Sequence, residues 1–116
     1  MAKQEDLQVI TKAKALVKHT FVLTSNLNRY PKKYRYSLVP RIQDVSMDIY
    51  ENLMEANRAN VNSDKVHRLQ LQTDAVTSCD KLMNYIDLSL DLDLLSYKSA
   101  DYWSKMVSDI KHMTLA

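Results

Sequence analysis

The chain has no glycine, where an average composition would place roughly eight in a protein of this length. Every device that needs a residue without a side chain is therefore missing: phosphate-cradling loops, dinucleotide fingerprints and nucleophile elbows. Enzyme classes built on such loops are excluded. With only two prolines besides, the chain is poor in tight-turn residues, which speaks against a small sandwich or barrel. A single cysteine, Cys79, rules out an internal disulfide. No run of about 18 apolar residues exists, so no membrane span is expected. Met1 to Asp6 is polar and no apolar segment of the secretory kind follows, which points to the cytoplasm. What is present is helical spacing. The expectation is an all-α protein, one domain over residues 1–116, with no cofactor.

Four helices can be drawn, at roughly 6–28, 38–58, 63–94 and 97–116. In the first, Val9, Ile10, Ala13, Leu16, Val17, Thr20, Phe21, Leu23, Thr24 and Leu27 cover close to half of the helical wheel, so burial between several neighbours is expected. Pro31 ends that pattern and biases Tyr30 toward extended geometry. Ser37 is a candidate N-cap for the second helix, and Pro40 fits its first turn, where a missing N–H costs nothing. Leu38, Ile42, Val45, Ile49, Leu53 and Ala56 then recur at spacings of four and three, a core stripe. Val39, Met47, Tyr50 and Met54 form a second apolar stripe on the same helix. It has two readings: further packing inside one bundle, or an interface between copies, to which adaptable methionine and tyrosine are suited.

Asn60 to Ser63 reads as a short polar connection, with Ser63 a candidate cap. The third helix carries Leu69, Val76, Met83 and Leu90 at strict sevens, flanked by Ala75, Cys79, Leu82 and Ile86. Ser96 can cap the fourth, whose stripe is Trp103, Met106, Ile110 and Met113. That helix carries no stop signal at Ala116. Short connections between long amphipathic helices favour an antiparallel, up-down-up-down four-helix bundle.

Catalytic chemistry finds no footing. A metal site in a bundle needs inward carboxylates and histidines, typically through Glu-x-x-His steps, and none occurs. His19, His67 and His112 sit on three different helices among polar neighbours and read as surface or packing histidines. Cys79 lies in an apolar stripe and reads as core. No Ser/His/Asp arrangement can be proposed. No catalytic residue, metal site or small-molecule substrate is expected, and the chain reads as a non-enzyme.

Charge segregation is the informative feature. From Leu7 to Gln43 there is no acidic residue, while Lys12, Lys14, Lys18, Arg29, Lys32, Lys33, Arg35 and Arg41 are all basic. The last five are interleaved with Tyr30, Tyr34 and Tyr36. Cations matched to phosphates, with tyrosine rings available to stack on unpaired bases, suit nucleic acid. The eight basic residues are therefore the candidate nucleic-acid contacts, and Tyr30 and Tyr34 the candidate stacking rings. The same stretch also reads as a solubilising loop packed over the bundle end, or as a dock for an acidic protein.

Tyr-Pro-Lys-Lys-x-Arg-Tyr-Ser-Leu, from Tyr30 to Leu38, is followed by Ile42, Ile49 and Leu53 and by Glu55-Ala56-Asn57. This resembles the aromatic-Pro-Lys-x-x-Arg-aromatic-x-Leu pattern of a bacterial four-helix-bundle family. That family includes the Avd-like accessory proteins of diversity-generating retroelements and the proteins encoded in intervening sequences of large-subunit ribosomal RNA genes. Asp91-Leu92-Asp93-Leu94-Leu95-Ser96, then Tyr102, Ile110 and Met113, is similar to the Avd branch, although the Gly- and Trp-containing end of that branch is absent. The resemblance implies a ring-like homopentamer that binds RNA or cDNA and a reverse transcriptase during mutagenic copying. Lys32 and Arg35 match basic positions of the pattern; Tyr30, Pro31, Tyr36, Leu38 and Ile42 match architectural ones. The expectation is a homo-oligomeric accessory protein, with Val39, Met47, Tyr50 and Met54 at the interface. Its rival is a homo-oligomeric scaffold that docks an acidic protein partner and no nucleic acid.

Overall fold

A computed structural model describes residues 4–59 and 63–116. Four helices make up most of them: α1 (Gln4–Ser25), α2 (Leu38–Arg58), α3 (Lys65–Asp91) and α4 (Tyr97–Leu115). Among the described residues there is no strand. Residues 1–3 and 60–62 lie outside them, and with the latter most of the polar connection expected at Asn60–Ser63.

The helices form an antiparallel bundle, as residues facing one another across each seam show. Between α1 and α4, Lys12 meets Asp109, Thr20 meets Trp103, and just past the end of α1 Arg29 meets Ser99, so position rises on one strand of contacts as it falls on the other. Thr24 with Gln43 joins α1 to α2, Ala56 with Arg68 joins α2 to α3, and Asp80 with Lys111 joins α3 to α4. The 27 residues of α3 reach about 40 Å at 1.5 Å per residue, most of the molecule's 47 Å long axis. One end therefore gathers the α1–α2 and α3–α4 connections, and the other the α2–α3 connection.

The core stripe expected on α2 is buried at every position: Leu38, Ile42, Val45, Ile49, Leu53 and Ala56. From α4 come Trp103, Val107 and Ile110, and from α1 Val9, Ala13 and Leu16. On α1 the broad arc is not buried throughout. Phe21 is exposed because each helix of a four-cornered bundle keeps an outward face, and Leu27, also exposed, lies past the end of α1. On α3 the heptad series turns out to be the edge of the core rather than its centre. Leu71, Ala75, Cys79, Leu82 and Ile86 are buried, Val76, Met83 and Leu90 are half-buried, and Leu69 is exposed. A strict seven drifts about 20° per repeat on a straight helix, so the series begins outside the core and rotates toward it.

Helix ends follow local chemistry. α1 stops three residues before the expected Asn28 because the Asn26 side chain accepts from the Asn28 backbone N–H at 2.9 Å, an Asx turn that competes with the helix. α3 stops three residues before Leu94 in a Schellman motif: Leu94 N–H donates to Ser89 O and Asp93 N–H to Leu90 O, with Asp93 left-handed at φ 62°. Ser37 holds the N-cap position of α2 without a side-chain cap bond. One of its two usual targets is missing, since the third helical residue is Pro40, which has no N–H. At α3 the N-cap is Asp64, not Ser63. Ser96 caps α4 as expected, accepting from Ser99 N–H at 3.1 Å.

Candidate nucleic-acid interface

The connection between α1 and α2 is held by its tyrosines. Tyr30 is 1% exposed, and its hydroxyl donates to Ser89 Oγ at 2.8 Å. Burial pushes its phenol above the ordinary value, with the Ser89 bond acting in the opposite direction. After Pro31, a single 3-10 turn at Lys32–Tyr34 is fixed by Tyr34 N–H to Pro31 O and Arg35 N–H to Lys32 O, at 2.9 and 3.0 Å. Tyr34 sits half-buried against the core, four residues after Tyr30. With those two rings turned in, Lys32, Lys33, Arg35 and Tyr36 are turned out.

Lys32, Lys33, Arg35 and Arg41 are exposed, and Lys33 Nζ lies 5.3 Å from the centre of the Tyr34 ring. Among the described residues none of these four has a carboxylate within 4 Å. Arg29 is half-buried, and its guanidinium donates to Ser99 Oγ at 3.3 Å, which ties the connection to the start of α4. These five cations share one end of the bundle. The other three lie apart. Lys14 and Lys18 are exposed one turn apart along α1, and Lys12 reaches across to Asp109 at 3.9 Å.

One of the two stacking candidates needs correction. Tyr30 has no face open to a base because its ring fills the end of the core, and Tyr34 is half-buried. The ring that stands free beside the cations is Tyr36, 87% exposed. No signal in the sequence separates them, because the irregular connection between α1 and α2 gives the three tyrosines no common repeat. The second stripe of α2 flanks the α1 seam: Val39 and Tyr50 pack against the core, while Met47 and Met54 are half-buried. Gln43 on the same face reaches Thr24 of α1 at 2.9 Å.

Cys79 is buried, and its thiol is pushed up to about 12, first by burial and then by the Asp80 carboxylate, against an opposing effect of Lys111. A thiol so held is packing, not a nucleophile. Among the described residues no three His, Cys, Asp or Glu side chains gather as metal ligands, and no helix is long and apolar enough to cross a membrane.

A family model described as 23S rRNA-intervening sequence protein matches residues 5–116. The chain belongs to that family. Neither curated proteins nor solved structures give a match. Membership in the intervening-sequence protein family agrees with the group that the Tyr30–Leu38 pattern resembles, and it extends over all four helices. In this intervening-sequence protein the pattern has a physical basis. Its first aromatic is the plug of the bundle end, its proline starts the 3-10 turn, and its basic positions Lys32 and Arg35 stand in solvent.

Proposed function

We propose that this protein is a non-enzymatic accessory protein that binds RNA or its cDNA copy through the basic connection at one end of the bundle. The observation that carries the reading is the set of exposed cations Lys32, Lys33, Arg35 and Arg41, without carboxylate partners among the described residues and beside the exposed ring of Tyr36. The rigid turn beneath them means that little backbone entropy is lost on binding. The family's own description places it with intervening sequences of 23S rRNA, which supports an RNA context. Phosphate contacts of this kind position a strand without reading its sequence.

In its finer form the proposal follows the retroelement branch of the resemblance. The protein assembles in the cytoplasm as a homo-oligomer, a pentamer in that branch, through Val39, Met47, Tyr50 and Met54. It then holds template RNA or cDNA next to a reverse transcriptase that supplies the chemistry. Multiplying one cationic end by the number of copies would raise avidity steeply.

The test is binding of a structured, partly single-stranded RNA as salt is raised. Four phosphate contacts give a log–log slope of about −3 per copy. The triple reversal Lys32→Glu, Lys33→Glu, Arg35→Glu should remove most of that slope with helicity unchanged. Unchanged retention would take these residues out of the site. No binding at low salt would favour the rival scaffold that docks an acidic protein.

A further inference from the structure

A groove of about 420 Å³ runs between α1 and α4, within the range of roughly 300–1,000 Å³ usual for small-ligand sites. Its floor is aromatic and aliphatic. The His19 and Tyr102 rings lie 5.2 Å apart at 57° to each other, and Leu23 sits beside them. Tyr102 is 61% exposed, so the wedge between the rings opens to solvent. Behind it His19 is backed by Trp103, edge-on at 6.3 Å, which holds the imidazole in place. Burial lowers the His19 pKa from its ordinary 6.5, so at neutral pH the ring is an uncharged flat surface.

The rim differs from the floor. Lys98 and Lys105 border the groove; Lys105 is shared with Asp101 at 3.1 Å, and Lys98 has no carboxylate within 4 Å among the described residues. Ser99, also in the lining, receives the Arg29 guanidinium. Arg29 belongs to the basic connection, so the groove opens at the end where Lys32 and Lys33 stand. An apolar wedge rimmed by two lysines against one carboxylate, Asp101, fits a ligand that is a planar ring on an anionic backbone.

We infer that the α1–α4 groove takes one unpaired base of the bound RNA strand, stacked on the exposed ring of Tyr102 with the tilted His19 ring against its edge, and with its flanking phosphates beside Lys98 and Lys105. This rests on the RNA-binding reading above and adds a second contact point to it, on a different face of the bundle. Stacking of this kind tolerates any base, because each has a π face.

The experiment compares two probes of equal length and charge, a ten-residue oligouridylate and its abasic ribose-phosphate counterpart, on the wild type and on Tyr102→Ala and Tyr102→Phe. Tyr102 is exposed enough for both substitutions to leave the fold intact. The wild type should prefer the oligouridylate by about 5- to 150-fold, the range for one stacked base. In a Tyr36→Ala background, which removes the free ring of the cationic end, Tyr102→Ala should abolish that preference without weakening abasic binding, and Tyr102→Phe should keep it. Fluorescence of Trp103, the one tryptophan, should change with the oligouridylate only. A preference that survives Tyr102→Ala in that background, or no preference at all with abasic binding intact, overturns the groove and leaves the cationic end standing. Failure of both probes to bind at low salt overturns the RNA reading, and the groove with it.

Discussion

The Tyr30 hydroxyl donates to Ser89 Oγ across 59 positions of sequence, and the Ser89 hydroxyl in turn donates to Tyr85 O, each at 2.8 Å. This chain of two bonds joins the basic connection to the end of α3 and explains why a stretch so rich in lysine and arginine is ordered. The two partners are not equivalent. Removing the hydroxyl in Tyr30→Phe leaves Ser89 still bonded to Tyr85 and should cost about 1 kcal/mol. Removing the acceptor in Ser89→Ala strands a buried phenol and should cost about 2 kcal/mol. Urea unfolding of both variants checks the order. A cheaper Ser89→Ala would mean that the bond is not what anchors the connection.

Asp93 is left-handed in a chain without glycine, at the position of a Schellman motif where glycine is usual. It is also an acid next to the negative end of a helix dipole. Asp93→Gly relieves both penalties, at some cost in unfolded-state entropy. A gain of about 1 kcal/mol in unfolding free energy is expected. A loss of stability on that substitution would show that the Asp93 side chain is held by something more valuable than the strain it carries.

Among the described residues three groups have shifted titrations, and each adds a pH dependence to stability. His19 binds its proton less tightly when folded, so its contribution is present above 6.5 and is lost as pH falls from there through its lowered folded value. Cys79 and Tyr30 behave in the opposite sense. Each binds its proton more tightly when folded, so their contributions are complete below the unfolded values of 9.0 and 10.0 and are lost as pH rises beyond them, for Cys79 up to about 12. Unfolding free energy should therefore fall on both sides of a plateau between about 7 and 9. Cys79→Ala should flatten the onset of the alkaline limb, and His19→Gln the acid one. A variant limb that coincides with the wild type's would remove that group from the account.

Met47 and Met54 are half-buried at the α1–α2 seam and lie outside the packed core cluster. The double substitution Met47→Gln, Met54→Gln keeps side-chain length and brings no charge into the seam, so the helicity of a single copy should be retained. Sedimentation should nonetheless move from an assembly to a monomer, if this stripe joins copies. An unchanged assembly would return the stripe to ordinary packing between helices.

Much of the fold could be read from spacing, and the reason is local. A helix repeats every 3.6 residues whatever surrounds it, so the six-residue stripe of α2 and the Ser96 cap of α4 were legible at once. The heptad of α3 misled because an ideal repeat and a real helix drift apart, and only neighbouring helices say which part of the drift is covered. The cationic stretch was legible as charge, since its residues are close in sequence.

Composition and periodicity, then, determined the helices, their antiparallel order and the position of the positive charge along the chain. Tertiary structure alone decided which rings and cations face solvent. Tyr30 and Tyr36 are alike in sequence, yet one plugs the core against Ser89 and the other stands free. His19 and Tyr102 form one groove only because α1 and α4 run antiparallel at adjacent corners. Burial is a property of what lies opposite a side chain, and what lies opposite comes from residues distant in the chain.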